Sequence, residues 1–330
     1  MNQRDGDDLR QEAFVQILKQ LVDNPDPKKL DKVWSLFCML SSSYVPSLNT
    51  QRLYYSILNH LFYLSKMNDS NVEILRRIEY VYSHLYHTSS INRNEVPSTL
   101  EMKFIEKMRP ITIPIYLFSE DFIFTSFEPY STVRQVKQSL IEKLEINPKR
   151  MGYYGIYEVA TFNHKKEERF LEASKNMADV LSSWERTRKL EENHNQEINF
   201  KLYLRIKFHY KISEDDMDTT SILFYENIYN FLNGRYDFDE KHIISLASLK
   251  LLNDFSSDKE EAFKRLNNKI DDYIPFDCKD LLSQSEWTEK IMEFYSKFPD
   301  YSTIEIQKNF NELISKDLIS ESHFVLVTVN

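Results

Sequence analysis

The sequence predicts an α+β protein built as a helical bundle, a small β-rich roll and a second helical bundle, in that order. Two observations on periodicity carry this. Apolar residues recur at helical spacing from Leu9 to about residue 108 and again from Thr219 onward, and between them the period changes, with short β-rich runs after residue 111 and clean alternation from Phe200 to Tyr210. A third observation is compositional: 22 Phe and 20 Tyr with 42% hydrophobic residues exclude a chain that stays disordered. No internal repeat or low-complexity linker parts the three stretches, so they are expected to abut in a rigid assembly.

In the first stretch Phe14, Ile17, Leu18 and Leu21 form a stripe that Asn24-Pro25 ends. Leu30, Val33, Trp34, Phe37, Cys38 and Leu40 make the next apolar face. It stops before Val45-Pro46, because a residue preceding proline avoids the α region. Tyr54, Ile57, Leu58, Leu61, Phe62 and Leu64 predict a third helix, and Val72, Leu75, Ile78, Tyr82 and Leu85 a fourth. Thr88 to Pro97 is polar and reads as a loop, followed by a short helix from Thr99 to Met108.

The period then changes. ITIPIYLF and FIFTSF read as two strands of a hairpin parted by Ser119-Glu120-Asp121. Thr132 and Gln135 form a capping box, which pairs otherwise orphan amide hydrogens at the start of a helix carrying Val136, Leu140, Ile141 and Leu144. A strand is expected at Tyr153 to Ala160 and a short helix at Ala178 to Glu185. From Phe200 to Tyr210 the strand puts Leu202, Leu204, Ile206 and Phe208 on one face and Lys201, Tyr203, Arg205 and Lys207 on the other. Hairpin, helix and further strands is the order of a ubiquitin-like roll.

Beyond Thr219, Ile222, Tyr225, Ile228, Tyr229 and Leu232 share a helix face that Asn233-Gly234 ends, since glycine tolerates the left-handed C′ position. Asp239 is the expected N-cap of a helix lined by Ile243, Leu246, Ala247, Leu249 and Leu252. Two more helices are predicted at Lys259 to Asn268 and Trp287 to Phe298, and the final HFVLVTV has strand character.

Composition narrows the chemistry. With only 4 Gly and neither a GxGxxG nor a GxxxxGK[ST] run, phosphate-cradling loops of those kinds are excluded. Cys38 and Cys278 lie far apart with no zinc-type spacing and read as reduced thiols near the core. His84 and His87 could share a helix face as metal ligands, but no third ligand accompanies them, and a solvated or capping role is the plainer reading. Asp215, Asp216 and Asp218 lack the central glycine of a calcium loop and read as charges at a helix start. No local nucleophile signature such as GxSxG occurs. The reading is therefore non-enzymatic, without cofactor or metal. The polar, acidic N-terminus is unlike a secretory signal, and no apolar run approaches the ~20 residues that span a bilayer, so a cytoplasmic protein is expected. Charge is uneven: residues 1–110 hold 14 Lys/Arg against 13 Asp/Glu, residues 213–330 hold 12 against 24. That acidic last third disfavours nucleic acid as a partner.

Leu9, Arg10, Glu12, Gln16, Lys19, Gln20, Asn24 and Pro25, then Trp34 and Pro46-Ser47, resemble at matching spacing the MyTH4 module of certain myosin and kinesin tails. Gln11, Phe14 and Val33 stand where that family usually has aspartate, tyrosine and glycine. Residues 111–212, with DVLSSWE at Asp179 to Glu185, resemble the ubiquitin-like first lobe of a FERM domain. Residues 213–320, with Gly234-Arg235-Tyr236 and Leu246-Ala247-Ser248-Leu249, resemble its helical second lobe, which shares a fold with acyl-CoA-binding proteins. The resemblance implies a MyTH4-like domain over 1–110 that starts late relative to the family, FERM lobes over 111–212 and 213–320, and in 321–330 the first strand of a third lobe.

It also implies a function in recognition and tethering: a cytoskeleton-associated adaptor or motor tail, cilia included, that binds microtubules or acidic cargo peptides, alone or with further subunits of a larger assembly. Lys19, Lys28, Lys29, Lys32, Arg76 and Arg77 are the candidate partner-binding residues, since in tails of this type basic MyTH4 surfaces meet acidic tubulin tails or cargo. The alternative is a membrane-proximal FERM-type scaffold for lipid headgroups or receptor tails, for which Lys201, Arg205 and Lys207 would form a strand-face patch.

Overall fold

A computed structural model describes residues 3–22, 24, 26–66, 72–88, 93–117, 121–162, 165–192, 197–207, 217–256, 258–299 and 301–321. The predicted turn residues Ser119 and Glu120, the end of the Phe200–Tyr210 strand, Pro25, the Asp215-Asp216 pair, the start of the Thr88–Pro97 loop and the HFVLVTV segment lie outside the described residues.

The elements run α1 (Gln3–Leu21), α2 (Pro27–Ser43), α3 (Leu48–Lys66), α4 (Val72–Thr88), α5 (Thr99–Glu106), β1 (Ile111–Tyr116), β2 (Phe122–Phe127), α6 (Val133–Lys143), β3 (Tyr154–Phe162), β4 (Lys165–Phe170), α7 (Met177–Glu192), β5 (Ile198–Ile206), α8 (Met217–Leu232), α9 (Glu240–Phe255), α10 (Lys259–Lys269), α11 (Gln284–Tyr295) and α12 (Thr303–Glu321). The strands pair in the order β2-β1-β5-β3-β4. By density of contacts the chain divides into two compact units: residues 1–115, 123–140 and 156–202 form one, residues 116–122, 141–155 and 203–330 the other.

In the first unit α1 to α5 enclose a core of Phe14, Leu18, Trp34, Phe37, Tyr54, Leu58, Ile78, Val81, Leu85 and Ile105, all buried. Phe14 meets Tyr54 edge-on at 5.0 Å, the favoured geometry for aromatic quadrupoles. α2 starts where Asp26 accepts hydrogen bonds from the Lys28 and Lys29 amides, and Pro27 sits at the one position where its missing N–H costs nothing. Its last turn buries Ser41, Ser42 and Ser43. Their hydroxyls donate to the Cys38 and Met39 carbonyls at 2.7–3.0 Å, so these polar groups need no outside partner. The sheet buries alternate residues of β1: Ile111, Ile113 and Ile115. α6 opens with the predicted capping box: Gln135 Oε1 accepts from the Thr132 amide at 2.8 Å, and the Gln135 amide donates back to Thr132 Oγ1 at 3.4 Å.

Two elements here differ from expectation. β4 (KKEERF) pairs antiparallel with β3 from Tyr157↔Phe170 to Phe162↔Lys165, yet shows no apolar alternation because it lies exposed along almost its whole length. The helix expected at Ala178 to Glu185 runs on to Glu192 through a mostly charged stretch, ERTRKLEE.

In the second unit Phe224, Phe231, Leu246, Leu249, Leu266, Trp287, Ile291 and Phe310 form the core. Asp239 caps α9 through the His242 amide at 2.9 Å. Gly234 closes α8 at φ +63, and a Cβ there would lie 2.7 Å from the Asp277 carboxylate oxygens. α12, absent from the sequence reading, brings Phe310 into edge-on contact with Phe224 at 5.0 Å. Its Asn311 donates to the Thr220 carbonyl at 3.0 Å and accepts from Asn227 at 2.9 Å. These buried amides satisfy one another along the α8–α12 seam.

Candidate interaction surface

The residues singled out for partner binding occupy three helices of the first unit. Lys28, Lys29 and Lys32 are exposed at the start of α2. Lys29 makes a loose ion pair with Asp26 at 3.6 Å with its side chain 77% exposed. Lys28 and Lys29 stand in the first turn, where the unpaired amide hydrogens leave partial positive charge and a cation costs a few tenths of a kcal/mol or more. Lys28 and Lys32 are four apart on one face, a further like-charge cost. Helix stability therefore does not account for these three lysines.

α4 contributes differently at its two arginines. Arg76 is exposed. Arg77 has a side chain only 13% exposed; it donates to Asp31 Oδ1 at 2.6 Å, to the Asp31 carbonyl at 3.1 Å and to Glu73 at 3.3 Å. Arg77 thus ties α4 to α2. Lys19, exposed in the last turn of α1, complements that helix's dipole, and no described contact joins it to the others.

The lysine-rich face of β5 is not free. Arg205 is 4% exposed, with its Nε 3.8 Å from Glu226 and its Nη2 donating to Asn230 at 3.4 Å. Glu226 also accepts the Ile206 amide at 2.6 Å. Arg205 therefore cannot belong to a lipid-facing patch. Burial pushes the Lys207 amine below the usual range.

Sequence reasoning missed a second polar system. Arg93, buried ahead of α5, donates to both oxygens of Glu101 at 2.7 and 3.0 Å and to Asp179 of α7 at 2.6 Å. Asp179 also accepts the Asn94 amide at 2.9 Å. Further along α7, Glu185 accepts the Thr99 amide and hydroxyl at 2.5 and 2.6 Å, and Arg186 pairs with Glu95 at 2.9 Å. α7 thereby fastens the segment that leads from the helical bundle into the sheet. One signal was available: Glu101 stands one turn before Ile105, on the inward face of a short apolar helix, where an unpaired carboxylate would be costly.

His84 is buried and not solvated. Its ring stacks on Tyr80 at 3.8 Å, its Nδ1 lies 2.8 Å from the Tyr80 carbonyl, and its Nε2 is 3.4 Å from Glu128. His87 stacks on Tyr130 at 4.7 Å. Among the described residues no group of three His, Cys, Asp or Glu is placed to hold a metal ion, and no helix is long and apolar enough to cross a membrane.

Comparison with known proteins matches this architecture. Residues 3–104 match the MyTH4 domain, residues 109–208 an RA-like domain and residues 213–316 the FERM central domain. The chain thus carries a MyTH4 domain, an RA-like domain and the FERM central domain in that order, the domain makeup of a MyTH4–FERM module. It is similar to the myosin-I heavy chain of Dictyostelium discoideum, with 25% identity over 251 residues that cover 74% of this chain and 10% of that protein. It is also similar to the kinesin-like protein KIN-14I of Oryza sativa subsp. japonica, with 21% identity over 321 residues, 93% of this chain and 25% of that protein. It thus spans a tenth to a quarter of these relatives' length.

Among solved structures, the myosin VII MyTH4–FERM MF1 domain of Dictyostelium discoideum superposes with a TM-score of 0.77 at 20% identity, covering 94% of this chain and 61% of that one. The human myosin 7b C-terminal MyTH4–FERM domain, solved in complex with the harmonin-a PDZ3 domain, gives 0.71 at 19% identity, covering 93% and 61%. At these identities the superpositions establish the fold.

Proposed function

We propose that this module is a non-enzymatic tether that recognises an acidic protein surface, an exposed tubulin tail or an acidic cargo peptide, through Lys28, Lys29, Lys32 and Arg76. The carrying observation is the exposed lysine cluster at the start of α2, placed where the helix dipole and like-charge neighbours disfavour it. Residues kept against local stability are explained by a partner that complements them. A contact of this kind steers association over a Debye length of about 8 Å at physiological salt, so it is salt-sensitive.

In this reading α7 supports the surface by holding the start of α5 and the segment ahead of it through Arg93–Asp179 and Thr99–Glu185. Similarity to myosin and kinesin tails supports a setting on the cytoskeleton, and the myosin 7b neighbour bound to a PDZ domain supports protein partners. Co-sedimentation with microtubules at low and physiological salt, beside a Lys28/Lys29/Lys32→Glu variant, tests it. Salt-sensitive pelleting that the variant loses supports a tubulin contact. Pelleting unchanged in the variant removes this surface from the interaction. No pelleting at either salt moves the partner to an acidic cargo peptide, read by titrating a poly-glutamate peptide against the same pair of proteins.

A further inference from the structure

The acidity of the last third plays no part in the lysine surface of α2, and much of it gathers where two stretches of the second unit meet. The turn from α8 to α9 (residues 234–240) and the stretch from α10 to α11 (residues 271–280) together hold seven Asp or Glu against Arg235 and Lys279. The Phe276 amide donates to the Leu232 carbonyl at 3.1 Å, and the Asp277 carboxylate stands against Gly234. Burial, then the carboxylates of Asp277 and Asp237, push the Cys278 thiol up, so Asp237 faces the same stretch.

This stretch also shows two large apolar side chains to water. Tyr273 and Ile274 are buried in the core, and Cys278 and Leu282 pack against it, yet Phe276 and Leu281 are 62% and 61% exposed. The backbone fixes their outward placement. Beside the bond to Leu232, the Cys278 amide donates to the Pro275 carbonyl and the Leu281 amide to the Cys278 carbonyl, both at 3.1 Å. An aromatic ring held outward on a backbone tied to the core loses little freedom when a partner covers it, which is the property of an interface anchor.

Charge selects the occupant. Asp271 pairs with Lys279 at 2.9 Å, Asp272 with Arg265 at 2.8 Å, and Asp239 engages His242 at 2.8 Å. Asp237, Asp277 and Asp280 are exposed and make no ion pair among the described residues. Unpaired carboxylates beside apolar side chains repel nucleic acid and anionic lipid, and they complement cations carried on an apolar segment. Arginine suits both features, since its guanidinium pairs with a carboxylate and stacks on an aromatic face. We propose that Phe276 and Leu281, with Asp237, Asp277 and Asp280, dock a segment of a partner protein that carries Arg or Lys around an apolar residue. The module then holds an acidic partner through α2 and a basic one here, and so bridges two proteins. The two surfaces share no residue, so the failure of either leaves the other standing.

Fluorescence anisotropy of labelled synthetic peptides, titrated with the whole chain at physiological salt, tests this. One peptide is built of Arg and Leu, a second has each Leu replaced by Ser, and a third has each Arg replaced by Glu. The expected result is saturable binding of the Arg–Leu peptide alone. Asp237/Asp277/Asp280→Asn and Phe276→Ser each weaken it about tenfold or more. Glu260/Glu293/Glu312→Gln, which neutralises three exposed acids on α10, α11 and α12, changes it less than about twofold. All three variants keep the far-UV circular dichroism of the parent. Amide shifts followed by NMR in the parent chain centre on residues 276–281, a readout that needs no variant. The proposal is overturned if the Arg–Leu peptide does not saturate, if the Ser peptide binds as tightly, if the Glu variant loses as much as the Asp variant, or if the shifts centre elsewhere. Self-association in sedimentation velocity that the Asp variant abolishes would assign the surface to the lysines of a second copy and overturn it too.

Discussion

Arg93→Ala is the most informative single perturbation of the fold. Arg93 makes three charge-assisted hydrogen bonds of 2.6, 2.7 and 3.0 Å to two carboxylates, and its own side chain is 1% exposed. Truncation leaves Glu101 at 0% and Asp179 at 3% exposure without their cation. Asp179 keeps the Asn94 amide at 2.9 Å, whereas no other described group donates to the Glu101 carboxylate. Breaking a buried pair by removing one partner costs about 3–5 kcal/mol, and the partial compensation at Asp179 places this case near 4. Arg93→Lys keeps the charge but loses the bidentate fork and should cost about half as much. Urea unfolding followed by tryptophan fluorescence reads these losses as a shift in midpoint at constant slope. The exchange rate of the Asn94 amide, which reports the contact of the segment ahead of α5 with Asp179 of α7, should rise in Arg93→Ala. A loss below about 1 kcal/mol, the worth of a solvent-exposed pair, would refute the argument that this network holds the bundle to the sheet.

Three further outcomes follow from local geometry. Gly234→Ala should destabilise by about 1–2 kcal/mol through its left-handed backbone and the clash with Asp277, and Asp277→Ala in the same chain should recover the steric part; thermal melts of the single and double variants check this. Burial tends to raise the Glu185 carboxyl, but hydrogen bonds from Lys189 and from the Thr99 hydroxyl and amide outweigh it and hold the group at about 2. A carboxyl lowered on folding stabilises above its unfolded range, so this contribution is lost as pH falls from about 4.5 toward 2. Glu185→Gln should flatten that part of an acid-unfolding curve. Burial pushes the Cys38 thiol up to about 12, so in the native protein at pH 8 a thiol reagent should reach Cys278 alone, slowly, and Cys38 only after unfolding; a time-resolved thiol titration distinguishes the two.

What the sequence made legible divides along a physical line. Features decided within one or two helical turns were readable: the Thr132–Gln135 capping box, the Asp239 cap, the glycine at Gly234 and the apolar stripes around Trp34 and Leu249. Each is set by neighbours a few residues apart. Features decided by a distant segment were not. β4 shows no alternation because it lies exposed on an edge, and only its pairing with β3 makes it a strand. Arg205 and Lys201 share one strand face, yet Arg205 is buried against Glu226 from α8. Arg76 and Arg77 are adjacent, but about a third of a helical turn separates their side chains, so one faces water and the other is spent on Asp31. The same holds for Arg93, which looks like any loop arginine until α5 and α7 close around it. A cation in a sequence is ambiguous between holding the fold and meeting a partner, and the ambiguity is resolved by whether a carboxylate from elsewhere in the chain has reached it. By that criterion Arg77, Arg93 and Arg205 are engaged internally, while Lys28, Lys32 and Arg76 keep exposed charge with no ion pair among the described residues. The surface left for recognition is what remains after the fold has taken the cations it needs.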